Sequence, residues 1–375
     1  MIPLNQNLTA MKRSGIRAFT ELARQTPDCR MLTIGEPDFD TPAPIRAAAA
    51  AALDRGETHY APNQGVAALR QAIAQFEARR GNPTEAAQVL VTAAATQALF
   101  TALMGILNPG EEVVVPTPAF PLYESIITAV GGKMRVLDLT RTGFQITPDA
   151  LAEVITPRTK AIVLNSPNNP TGTVLNRQSL EAVKEAVLGK DIFLICDNVY
   201  SALSYGDCPD ITLDPVLKEQ VLLCQSFSKP YAMTGWRVGY LVCPEYVMDR
   251  LLLLSAAMIA AVPTFLQSAA LEALNTDPTA MVETYRARRD YVCRRLDGMG
   301  LVYPKPEGAF YVFPDISRFG MDSAGFCERM IREGRVAAVP GSCFGAEGYI
   351  RLSYCYSDRE LAEGLDRMEA FLKNL

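Results

Sequence analysis

Three short apolar runs end in side chains that could do covalent or proton-transfer chemistry. Residues 221–224 lead directly to Ser226 and Lys229, residues 192–196 end in Asp197, and residues 161–164 end in Asn165, followed by Asn168-Asn169-Pro170-Thr171-Gly172. If these runs are neighbouring strands of an α/β sheet, they bring an amine, a carboxylate and an amide to one rim. That rim is the carboxyl edge, where such sheets place ligands. An enclosed amine there is a nucleophile and, with its pKa lowered, a base. Ser226-Phe227-Ser228-Lys229 also fits S-x-x-K, the nucleophile motif of serine acyl-enzymes. That chemistry needs S-D-N and K-T-G further on. K-T-G is missing, and the nearest mimic of S-D-N, Cys196-Asp197-Asn198, precedes the serine.

The composition narrows the field. The 375 residues include one histidine, His59, so a two-His zinc site and a His-based proton relay both lack members, and no metal site is expected. Acid–base work then falls to a Lys, a carboxylate, a Tyr or a Cys. With 36 Lys+Arg against 41 Asp+Glu the net charge is −5, which disfavours nucleic acid and anionic membranes as partners. Nine scattered cysteines, an odd number with no C-x-x-C, suit reduced thiols in a cytoplasm. The N-terminus carries no signal pattern. The longest apolar stretch, residues 251–266, contains Ser255, Pro263 and Thr264 and reads as a buried helix.

Strands are expected at 89–92, 113–116, 161–165, 192–197, 221–225 and 238–242, each nearly all apolar. Helices are expected between them at 96–107, 121–130, 177–187 and 246–261. This rhythm predicts an α/β fold with a mostly parallel sheet covered on both faces. Residues 44–53, with six consecutive alanines, read as a closely packed helix. After an Arg-rich helix at 280–296 the pattern changes. Short strands at 309–313 and 349–353 mix with helices at 323–333 and 358–372, an α+β signature, and a domain boundary is expected near residue 275. No G-x-G-x-x-G follows a strand and no P-loop exists, which disfavours dinucleotide and P-loop chemistry.

An amine, a carboxylate and a polar group around one flat ligand are what pyridoxal phosphate requires. The lysine bonds its aldehyde, the carboxylate keeps its ring nitrogen protonated, and a helix N-terminus such as that at Ala95-Thr96 can hold its phosphate. Here the chain resembles the fold-type-I, class I and II aminotransferases of the aspartate aminotransferase superfamily. The matching stretches are Ile34-Gly35-Glu36-Pro37-Asp38-Phe39, Tyr60 with Gly65, Thr92 to Leu99, Pro116 to Tyr123, Asn168 to Gly172, Asp197-Asn198-Val199-Tyr200, Ser226 to Lys229, Met233 to Tyr240 and Tyr349 to Ser353. They keep the family's order over nearly the whole chain.

The resemblance implies a seven-stranded, mostly parallel sheet in a large cofactor-binding domain, residues 36–274. Residues 1–35 and 275–375 would form a smaller α+β domain. Lys229 would form the Schiff base and then move the substrate proton, and Asp197 would pair with the ring nitrogen. Asn169 and Tyr200 would bond the ring oxygen, and Phe120 would stack on the ring. Ala95, Thr96, Ser226 and Arg237 would hold the phosphate. Tyr60 would reach the phosphate of a neighbouring subunit, which requires a homodimer. Arg351, with Gly35 and Asn169, would clamp the substrate α-carboxylate. Ser14-Gly15-Ile16-Arg17 resembles the segment that folds over the site in the N-acetyl-diaminopimelate and broad-specificity aspartate/aromatic branches, so Arg17 would meet a distal carboxylate. Three positions depart from the family pattern: Ala94 for Gly, Asn198 for Glu and Phe120 for Tyr. Ala94 restricts the backbone of the phosphate loop, and the Asn198 change has no evident meaning from sequence.

The expected activity is cytoplasmic, ping-pong exchange of an amino group between an L-amino acid and a 2-oxo acid, with glutamate/2-oxoglutarate as the general pair. The alternatives are a β-eliminating carbon–sulfur lyase on the same fold, a non-catalytic pyridoxal-phosphate-binding regulator, and the serine acyl-enzyme.

Overall fold

The computed structural model describes residues 2–12 and 15–375. Seven strands form the main sheet: β1 (Val89–Thr92), β2 (Glu112–Thr117), β3 (Lys133–Asp138), β4 (Thr159–Asn165), β5 (Phe193–Asp197), β6 (Val221–Ser226) and β7 (Gly239–Val242). Their order is β1-β7-β6-β5-β4-β2-β3. The sheet is parallel from β6 to β3, while β7 runs antiparallel to both its neighbours.

Strand side chains alternate between two buried faces, as the period of two requires. Val114, Ile162, Leu164, Leu194, Cys196 and Leu223 point to one side, where they meet helices Ala43–Asp54, Ala67–Arg79, Arg177–Val187 and Thr264–Ala273. Val113, Val115, Ala161, Val163, Ile195, Leu222 and Cys224 point to the other, against Ala94–Ile106, Leu122–Ala129 and Glu245–Ile259. Both faces being covered explains why these strands read as continuous apolar runs. A third core gathers Phe310, Tyr311, Phe326, Met330, Leu352 and Leu365 around a three-stranded antiparallel sheet. The N-terminal part joins that region, because Arg30–Met31 pairs in parallel with Val336–Ala337.

Two expectations need correction. The apolar stretch 251–266 is not one buried helix. It is shared by Glu245–Ile259 and Thr264–Ala273, broken before Pro263, and Leu253 on it is 63% exposed. Apolarity there did not mean burial on all sides. The strand β3 was not expected at all. It is the sheet edge, its residues Lys133, Val136 and Asp138 are exposed, and KMRVLD therefore lacks an apolar run. Charges on such an edge discourage pairing with other chains. Among the described residues no helix is long and apolar enough to cross a membrane, and all nine cysteines are free.

Candidate active site

The ends of β4, β5 and β6 lie side by side. Asn165 pairs in register with Asp197, and Asp197 with Cys224, two residues before Ser226. Asn165 then ties the rim together: its side-chain amide donates to the Asp197 carbonyl at 2.8 Å, and its Oδ1 accepts the Asn169 backbone N–H at 2.9 Å. Above this rim opens a cavity of about 660 Å³, large enough for a cofactor and a small substrate.

Lys229 enters the cavity and donates from Nζ to the Gly35 carbonyl at 2.7 Å. Burial disfavours its charged form and pulls its pKa down to about 8. Asp197 is buried on the floor. Its Oδ2 accepts the Tyr123 hydroxyl at 2.6 Å, whereas its Oδ1 is buried with no partner. Burial raises its pKa to about 6, opposed by the Tyr123 bond, the Val199 backbone N–H and the Lys229 charge. A buried carboxylate oxygen left open is costly unless something binds it. The flat ligand's ring N–H is such a group.

The cofactor-free fold therefore carries a built-in penalty. Because the folded pKa of Asp197 lies above the unfolded 3.8, its ionisation weakens the fold. The penalty is absent below about pH 4, grows through pH 4–6 and is complete above, at on the order of 3 kcal/mol. Asn keeps an acceptor for Tyr123 without the charge. Asp197→Asn is thus expected to stabilise the cofactor-free protein by roughly that amount at pH 7 and not at pH 4, as denaturant unfolding at the two pH values would show.

One corner of the cavity forms where helix Ala94–Ile106 begins beside the Ser226–Arg237 loop. Ala94, Ala95, Thr96, Ser226, Ser228 and Arg237 all line it. Ser226 Oγ accepts the Ser228 backbone N–H at 3.1 Å, a turn that gathers both hydroxyls. Arg237 is exposed towards the opening and left-handed, at φ +57°, and its Nη1 donates to the Thr234 carbonyl at 2.8 Å. Gly239 permits the close approach of β7: a Cβ there would lie 2.8 Å from the Ala94 carbonyl carbon. Ala94 itself sits at φ +61°, where glycine is at ease and an L side chain costs about 1 kcal/mol. The substitution noted in the sequence is therefore a real local strain.

On the opposite wall, Arg351 is 2% exposed. It donates to Asn169 Oδ1 at 2.8 Å and to the Thr33 carbonyl at 2.5 Å, and its guanidinium lies 4.5 Å from the Tyr311 ring and 4.8 Å from Phe344. Its Nε is buried without a partner. A guanidinium fixed on one side and open on the other suits a carboxylate fork. Tyr200 exchanges a 2.8 Å hydroxyl contact with Tyr311, and Phe120 lines the cavity edge-on to Tyr123.

The site thus unites Lys229, Asp197, Tyr200, Asn169, Ala95, Thr96, Phe120, Ser226, Arg237, Gly35, Arg351 and Arg17 around one space. Tyr60 is not among them. It stands 93% exposed, outside this chain's cavity. Ser14 lies outside the described residues. Sequence reasoning assigned no role to Tyr123, Ser228, Tyr311 or Arg24, which also line the cavity. Arg24 could have been found from its spacing. Arg17, Glu21 and Arg24, at i, i+4 and i+7 of helix Gly15–Gln25, share a face. Asn198 donates to Asp210 Oδ2 at 2.9 Å. A Glu there would set two carboxylates together, which gives the Asn a local reason.

A buried carboxylate open towards a cavity, a lysine with a lowered pKa and a helix N-terminus beside Arg237 fit pyridoxal phosphate, and comparison with known proteins agrees. The model of the family "Aminotransferase class I and II" matches residues 27–368, and the chain belongs to this pyridoxal-phosphate-dependent family. It is 40% identical to the probable N-acetyl-LL-diaminopimelate aminotransferase of Bacillus subtilis, over 98% of this chain and 95% of that one. It is 37% identical to aromatic-amino-acid aminotransferase 2 of Thermococcus litoralis, over 99% and 98%. The solved aspartate aminotransferase of Thermus thermophilus with maleate superposes with a TM-score of 0.94 at 38% identity, covering 99% of this chain and 100% of that one. The protein is an aminotransferase.

Proposed function

We propose that the chain moves an amino group between an acidic or broad-range L-amino acid and 2-oxoglutarate, with the residues around the 660 Å³ cavity in the roles their geometry supports. The observation that carries this reading is the pairing of Lys229, with its pKa lowered to about 8, and Asp197, whose Oδ1 is buried and open. Pyridoxal phosphate, when bound, supplies the electron sink that labilises the bonds at the substrate Cα. Asp197 would keep its ring nitrogen protonated, Asn169 and Tyr200 would bond its ring oxygen, and Phe120 would stack on its ring. The Ala95 amide, Thr96, Ser226 and Arg237 would hold its phosphate. Lys229, as a free amine, would take the proton from the substrate Cα and carry it. Arg351, with Asn169 and the Gly35 backbone, orients the α-carboxylate so that the bond to hydrogen faces Lys229.

The far wall supports the substrate class. Among the described residues, neither Arg17 nor Arg24 makes an ion pair, and Glu21 lies between them accepting the Gln25 amide at 2.9 Å. With Arg351 on the α-carboxylate and Arg237 on phosphate, this wall retains one net positive charge, which suits a second carboxylate on the substrate. The names of the aspartate and N-acetyl-diaminopimelate relatives fit that class.

A cytoplasmic homodimer, with Tyr60 reaching the neighbouring site, belongs to the same proposal and rests on the exposure of Tyr60. So does the division into residues 36–274 and residues 1–35 with 275–375, supported by the pairing of Arg30–Met31 with Val336–Ala337. One panel tests the reaction. Amino donors are offered with 2-oxoglutarate, and 2-oxo acid and ammonia are scored separately. Donors with a distal carboxylate should lead by about tenfold or more in kcat/KM, the worth of one added charge contact, with no ammonia. Ammonia and pyruvate from cysteine-type donors would show the lyase instead.

A further inference from the structure

Tyr123 stands in the first turn of helix Leu122–Ala129, is 1% exposed and lines the cavity. Its ring packs among Leu99, Ile126, Val163 and Cys224. The hydroxyl points out of this apolar group to Asp197 Oδ2, at 2.6 Å. A phenol beside an ionised carboxylate can only donate. In an apolar shell such a bond is short, charge-assisted and directional. It also sorts the two carboxylate oxygens. Oδ2 is engaged by the wall, and Oδ1 alone faces the cavity, buried and unpartnered.

We propose that Tyr123 is the positioning residue for Asp197: its hydroxyl locks the carboxylate rotamer and holds it ionised, so that Oδ1 meets the cofactor ring nitrogen as a charged acceptor. Without that donor, Oδ2 would be a second buried acceptor with nothing to bind, and the carboxyl group would relieve this by taking a proton. A neutral carboxyl group cannot hold the ring nitrogen in its protonated form. Charge at the rim thus depends on a side chain whose hydroxyl is spent on the carboxylate itself. The single histidine of the chain, His59, is exposed and outside the cavity, so no imidazole competes for this task.

The inference rests on pyridoxal phosphate occupying the cavity, and the test separates the two. Pyridoxal phosphate labelled with 15N in the ring is bound to the wild type, Tyr123→Phe, Asp197→Asn and the double variant, and the ring-nitrogen shift and cofactor affinity are recorded. The wild type should show the protonated-ring shift. Tyr123→Phe should move it towards the unprotonated value and weaken binding about tenfold, as expected for one charge-assisted hydrogen bond. Asp197→Asn should already show the unprotonated value, and adding Tyr123→Phe to it should change neither readout by more than about twofold. Tyr123→His, which restores an N–H donor, should recover part of the protonated signal. A protonated shift in Tyr123→Phe, or an equal loss in the two backgrounds, would overturn the positioning role. A wild type that binds no cofactor would instead overturn the reading of the cavity.

Discussion

Lys229→Ala is expected to remove transamination by at least about 10⁴-fold in each half-reaction while leaving the fold intact. The variant deletes the group that carries the proton, and no neighbour can replace it. The single hydrogen bond lost is to the Gly35 carbonyl, and Nζ lies 5.8 Å from the centre of the Phe310 ring. The size of the effect follows from protonation. A lysine at its ordinary pKa is about 0.1% free amine near pH 7.5, whereas one at about 8 is free in roughly a quarter of the molecules. The cavity thus supplies about two-hundred-fold more base than an exposed lysine would, before any gain from placement. Single-turnover spectra of each half-reaction, with circular dichroism as the folding control, measure this. Retained turnover in the variant would show that another group moves the proton.

Arg351→Ala is expected to lower kcat/KM by about 10²- to 10³-fold for every amino acid tried, as the loss of a buried charge-assisted fork does. The uniformity is the diagnostic part. All amino acids share an α-carboxylate, so a group that reads it must matter equally to all. A loss confined to acidic donors would reassign Arg351 to the side chain. Lysine should rescue poorly. The guanidinium is held by the Asn169 amide oxygen and the Thr33 carbonyl while stacking on Tyr311 and Phe344, and a single ammonium cannot keep two acceptors and a carboxylate in one plane.

Much of this site is readable from the chain because its residues follow strands. Asn165, Asp197 and Ser226 close β4, β5 and β6, which are apolar on both faces and stand out from their surroundings. The resemblance to aminotransferases then named the partners that no spacing rule links, such as Arg351 and Phe120. Harder to see was whatever lacks a one-dimensional signal. The edge strand β3 alternates with solvent and carries charge. In helix Gly15–Gln25 the resemblance points to Arg17 but not to Arg24, which also faces the cavity. Tyr123 looks like a core aromatic, and its ring is one. Only the direction of its hydroxyl, set by a carboxylate 74 residues away, gives it a role. The strain at Ala94 was legible in kind, because Ala stands where Gly is usual, but its sign of φ required the fold.

The strand order also governs how the molecule is made. β1 lies beside β7, so the sheet edge bearing the phosphate corner stays open until residue 242 has been synthesised. Arg30–Met31 waits longer still, for Val336–Ala337. Pairings this distant in sequence close slowly, and a growing chain meanwhile exposes unpaired strand edges. The two halves of the site therefore mature at different times. This chain's own cradle residues, from Ala95 to Arg237, are synthesised roughly a hundred residues before Arg351. For that interval the emerging polypeptide carries the residues for its cofactor but not the arginine for the amino acid.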